Sequence, residues 1–193
     1  MKITRSELLD VVYRFYPRGV HNFERRHVPP NEPFYDDTEE HRRLVEAANR
    51  GRAEYPTWEA MTHRMYERYC LQNESLSLVA GGSDPAYSAR IYRPQDSGPV
   101  PSLSDRASIS FHVSLLGPYY GIHDTGEPDE LPAAVAEEIE ATYPGYQTIP
   151  PELGNEVVPD VAMDGALMGE ATIYMCLFSD VWTWMDPPSY LPV

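Results

Sequence analysis

The stretch Ser108-Ile109-Ser110-Phe111-His112-Val113-Ser114-Leu115 decides the fold class. Its apolar residues, Ile109, Phe111, Val113 and Leu115, alternate with Ser108, Ser110, His112 and Ser114. That period of two is the mark of a strand with one face on a core. Gly117-Pro118 turns the chain, and Tyr119 to His123 reads as a short return strand. Upstream, residues 86–93 read as a further strand, entered through the turn Gly81-Gly82-Ser83-Asp84-Pro85. Before that turn Leu76, Leu78 and Ala80 alternate with Ser75, Ser77 and Val79 as another strand candidate. Residues 94–106 hold three prolines and read as a flexible connection. Downstream, Pro132 to Thr142 predicts a helix with Val135 and Ile139 inward and Glu137, Glu138 and Glu140 outward, stopped by Pro144-Gly145. Residues 146–169 read as irregular. Ala171 to Phe178, apolar on both faces, reads as a central strand, and residues 180–185 as a last strand with Trp182 and Trp184 on one side.

The first third has the helical period instead. Leu8, Val12, Phe15 and Tyr16 recur at helix spacing, and Thr4 with Glu7 fits a capping box. Pro17 and Gly19 end that helix. Asp37 and Glu40 suggest a second cap, before a helix with the thin apolar stripe Leu44, Val45 and Ala48 that Gly51 would stop. Pro56 would open a third helix, with Trp58, Met61, Met65 and Tyr69 as a broad core stripe. Helices first, then strands with one inserted helix, predict an α+β fold: N-terminal helices on a mainly antiparallel sheet. One domain over residues 1–193 is expected, helical to about residue 70 and sheet-forming after it.

Charge follows the same division. The 193 residues carry 15 basic and 30 acidic groups, a formal charge of −15. Residues 1–70 hold 12 of each, whereas residues 71–193 hold only Arg90, Arg93 and Arg106 against 18 acidic groups. After Arg106 there is no cation among 14 carboxylates. Such a chain is unsuited to bind nucleic acid, which needs Lys and Arg to displace phosphate counterions. It suits an encounter with a basic protein. No apolar stretch approaches the roughly 20 residues of a membrane span. Met1 to Glu7 runs into an amphipathic pattern without an apolar signal core, and two cysteines, Cys70 and Cys176, make no disulfide scaffold, so a cytoplasmic setting is expected.

No motif for chemistry stands out. His112, His123 and Asp124 are the best metal trio, because a strand and its return could bring them together. That trio motivates one alternative, a metal-dependent hydrolase; a structural or assembly subunit is another. No spacing forces the convergence zinc requires, and HExxH and CxxC patterns are absent. Ser83 lacks the G-x-S-x-G elbow, and Cys176 within an apolar run reads as packing. The carboxylate pairs Asp36-Asp37, Glu39-Glu40, Asp129-Glu130 and Glu137-Glu138 read as solvated surface. Neither Gly81-Gly82 nor Gly117-x-x-x-Gly121 is followed by the Lys-Ser or Lys-Thr of a phosphate cradle. No enzymatic activity, resident metal or cofactor is expected.

The opening Leu8-Leu9-Asp10-Val11-Val12-Tyr13-Arg14-Phe15-Tyr16-Pro17-Arg18-Gly19, with Pro56-Thr57-Trp58 and Asp180-Val181-Trp182-Thr183-Trp184, resembles bacterial immunity proteins of polymorphic toxin systems, of the α+β type numbered fifty-two. The resemblance implies a cytoplasmic antidote that binds one cognate toxin, a nuclease of restriction-endonuclease-like fold. No family site transfers residue by residue. The expected partner contacts come from the acidic half: Asp124, Glu127, Asp129, Glu130, Glu137, Glu138 and Glu140, with Tyr119, Tyr120 and Trp184 as aromatic anchors. The sequence sets no oligomeric state.

Overall fold

Thr4 caps helix α1 (Arg5–Phe15) through a full capping box, its side chain accepting from the Glu7 backbone while the Glu7 carboxylate accepts from the Thr4 N–H at 2.9 Å. This is a computed structural model, which describes residues 3–21, 31–69, 84–92, 108–124, 129–163 and 165–178. Leu8, Val12 and Phe15 of α1 are buried. Past the helix, Gly19 turns the chain in the left-handed region, at φ 70°.

A single helix, α2 (Glu39–Tyr69), replaces the two expected from Gly51 and Pro56. Its cap is Thr38, one residue beyond Asp37: the Thr38 hydroxyl accepts from the His41 N–H at 3.2 Å and donates to the Tyr35 carbonyl at 2.7 Å. Proline lacks an N–H and crowds the carbonyl four residues before it, which normally ends a helix. Here each half of α2 is held by a different core. Leu44 and Ala47 pack in one apolar cluster with α1, whereas Trp58, Met61 and Met65 pack in another against the sheet. Pro56 is exposed at the junction between the two. Gly51 is not a stop but a close contact. It is buried, a Cβ there would lie 2.5 Å from Leu115, and its carbonyl accepts from the Tyr87 hydroxyl.

The sheet follows the alternation in the sequence. Strands β1 (Ala86–Tyr92), β2 (Ser108–Ser114) and β3 (Tyr119–Asp124) are antiparallel neighbours, and β4 (Gln147–Thr148) adds to β3 in parallel. The spatial order is β1-β2-β3-β4. Helix α3 (Leu131–Thr142) runs between β3 and β4, close to the expected boundaries. The architecture is α+β.

One face of the sheet is apolar. Tyr87, Ala89, Ile91, Ile109, Phe111, Val113 and Tyr120 meet Trp58, Met61 and Met65 from α2 and Val135 and Ile139 from α3. Trp58 stacks on Tyr87 with ring centroids 5.2 Å apart and tilts against Phe111 at 5.5 Å.

The opposite face is not solvated: every residue of β2 is buried. Its cover includes the segment read as a central strand. Ile173–Phe178 is helix α5, with all six residues buried. A short apolar run looks the same whether it is a strand between two layers or a helix enclosed on all sides. Thr172 settles it locally, its hydroxyl accepting from the Met175 N–H at 3.2 Å and its carbonyl from the Cys176 N–H at 3.0 Å. A helical turn, α4 (Pro151–Gly154), packs beside α5, so residues 146–169 are less irregular than expected. The strand candidates at 76–80 and 180–185, the connection at 94–106 and the cysteine Cys70 lie outside the described residues.

Candidate partner-binding face

The carboxylates expected at a partner surface divide into two sets. Glu130 and Glu137 are exposed on the outer side of α3, and Glu140, one turn on, is exposed as well. Spacings of seven and three residues place them on one stripe of the helix, with the small exposed Ala133 between the first two. Glu140 also accepts from the Tyr120 hydroxyl at 2.6 Å. Asp129 is exposed at the entry to α3 and accepts from the Leu131 N–H at 2.9 Å. Glu138, in contrast, turns toward α2 and pairs with Arg64 at 2.8 Å. Asp124 ends β3, opposite Ile109.

Two of the three aromatic anchors are corrected. Tyr119 is 8% exposed and Tyr120 2% exposed; both belong to the core and offer no ring to a partner. The reason is their position: β3 is an inner strand, covered on both faces. Tyr120 presents only its hydroxyl, toward Glu140, and burial with that hydrogen bond raises its pKa well above the ordinary phenol range. Glu127 and Trp184 lie outside the described residues.

Three arginines of the first 70 residues reach carboxylates of the acidic half, while Arg42 and Arg43 pair locally with Glu39. Arg5 pairs with Glu156 and Arg18 with Asp160, tying α1 and its exit to the segment before α5. Burial opposes ionisation of Asp160, but hydrogen bonds from Arg18 and Tyr13 prevail and hold its carboxyl below the usual range. Arg64 with Glu138 is a third pair of the same kind.

The trio proposed for a metal does not converge. Ser110 pairs with His123 and His112 with Gly121 in the register, so the two histidines share a face; Asp124 follows His123 on the strand and points to the other. Among the described residues no group of three His, Cys, Asp or Glu is placed to hold a metal ion.

His112 belongs instead to a polar row that the sequence reading did not assemble. Its Nδ1 lies 2.7 Å from the Ser88 hydroxyl, and Arg90 donates to the Ser110 hydroxyl at 3.1 Å. His112 is 1% exposed. Burial, with Arg90 and His123 nearby, lowers its pKa to about 3. The signal was present: Ser88 and Arg90 alternate with Tyr87, Ala89 and Ile91 just as Ser110 and His112 alternate with Phe111 and Val113. Two polar faces of paired strands must lie side by side. Cys176 is buried in α5, and burial pushes its thiol far above the reactive range, in keeping with a packing role.

No protein-family model, curated protein or solved structure matches this chain. None of its described helices is long and apolar enough to cross a membrane.

Proposed function

We propose that this chain is an immunity protein that binds and neutralises a cognate bacterial toxin, a nuclease with a basic surface, from within the cytoplasm. The observation that carries this reading is the segregation of charge: 14 carboxylates and no Lys or Arg after Arg106. The exposed stripe of Glu130, Glu137 and Glu140 on α3 supports it, because it gives part of that charge a defined, rigid placement. Nucleases carry cations where phosphate binds, and a fixed row of carboxylates competes for that surface. Complementary potentials raise the association rate and orient the encounter, and that advantage is screened by salt.

The test is binding of the purified protein to the product of the adjacent gene, with protection from its toxicity. Association should slow clearly between about 0.05 and 0.5 M salt. The double substitution Glu130→Lys with Glu137→Lys should slow association at low salt by at least about tenfold, at unchanged thermal stability. Failure to bind or protect against any neighbouring product overturns the reading. Binding indifferent to salt and to the double substitution keeps the antidote role and removes α3 from the interface.

A further inference from the structure

Three groups that carry or can take up a positive charge sit in two adjacent rows of one sheet face. Arg90, Ser110 and His123 form the first row across β1, β2 and β3; Ser88, His112 and Gly121 form the second. Helix α5 is seated on the second row. The Phe178 ring lies 6.0 Å from the His112 ring, and a Cβ at Gly121 would stand 3.2 Å from the same phenyl group. One row further on, the Ser114 hydroxyl donates to the Leu177 carbonyl at 2.9 Å. The seat of α5 is thus an uncharged imidazole, a bare glycine and a hydroxyl.

The surroundings of His112 make a charge there costly. From β1 it meets Arg90; from β3 it meets His123, on its own face. Asp124 favours a proton on His123, yet burial and Arg90 still lower the His123 pKa. From α5 come Tyr174 and Cys176, both kept protonated by burial. Asp84, just before β1, acts on Tyr16 in the layer that α1 and α5 share.

We propose that the Ser88–His112 pair beneath Phe178 is an acid-sensitive latch, which keeps α5 on the sheet while the imidazole is neutral and lets it go when the imidazole takes up a proton. The neutral ring and the Ser88 hydroxyl share one hydrogen bond at Nδ1, in which the hydroxyl can serve as donor or acceptor according to the tautomer. A protonated ring has two donors and no acceptor, so the Ser88 hydroxyl can then only accept from it, and a second full charge is placed beside Arg90 in a buried site. The folded pKa lies below the unfolded value of 6.5, so the opened state takes up the proton first. The closed state therefore keeps its full stability above about pH 6.5 and loses it progressively as pH falls toward 3.

The experiment is hydrogen exchange and imidazole NMR on the full chain between pH 7 and 4. The six histidines are separated by their signals, with His112→Asn used to assign one. The expected result is a His112 ring that stays neutral in the closed form. The opening constant of α5 amides, Ile173–Phe178, should rise by up to about tenfold per pH unit below 6.5, ahead of the amides of α3. Arg90→Gln should make that rise shallower, and so should His112→Asn where it folds. A His112 ring that titrates near 6.5 in the closed protein overturns the latch. So does α5 protection that falls only in step with α3.

Discussion

The two faces of the β-sheet are built on opposite principles. The face under α2 and α3 is built mainly from apolar and aromatic side chains, with Trp58 stacked on Tyr87 and set against Phe111. The face under α5 is as well buried along β2, but it encloses Ser110, His112 and Ser114 beside Ser88 and Arg90. An apolar face gains from every contact regardless of pH. A polar face contributes only while each donor has an acceptor and each titratable group keeps its charge state. Burial is similar on both sides, yet one face should respond mainly to shape and the other also to protons.

That contrast can be broken first at its apolar extreme. Trp58→Ala should cost about 3–5 kcal/mol in urea unfolding, because a fully buried ring with two aromatic neighbours leaves a cavity that they cannot fill. The cost should be the same at pH 5 as at pH 7. A loss under about 1 kcal/mol would show that α2 does not anchor the sheet. On the α5 side, Gly154→Ala should cost about 1–3 kcal/mol by overpacking. Its Cβ would fall 2.3 Å from the Tyr174 ring, and that ring is held in place by a 2.6 Å hydrogen bond from its hydroxyl to the Ile149 carbonyl. Thermal unfolding measures it, and an unchanged midpoint would mean that Tyr174 swings aside. The smallest effect belongs to the rim. Arg64→Ala removes the half-exposed pair with Glu138 and should cost less than about 1 kcal/mol, shrinking further at high salt.

The division of charge offers a second lesson. The first 70 residues are balanced, and the rest are acidic. Yet Arg5, Arg18 and Arg64 each reach across to a carboxylate of the acidic half. These pairs engage Glu138, Glu156 and Asp160, whereas Glu130, Glu137 and Glu140 stay exposed along α3, with Arg68 lining the same depression as Glu130 and Glu137. The same folding that buries Tyr119 and Tyr120 withdraws two rings that the sequence offered to a partner.

By itself the sequence determined the elements whose period or cap is local. Thr4 and Glu7 start α1, the alternation from Ser108 to Ser114 makes β2, and Val135 with Ile139 orients α3. These rest on backbone geometry and near neighbours, which a linear reading contains. Three things required the tertiary structure. Helix α2 passes through Gly51 and Pro56 because two separate cores hold its ends, and no local rule carries that restraint. Ile173–Phe178 is enclosed on all sides, so neither period shows in its apolar pattern, and its helical form is seen only in the cap from Thr172 and the seat on the sheet. The row joining Ser88, Arg90, Ser110, His112 and His123 exists only through strand register, which brings residues distant in sequence onto one buried face.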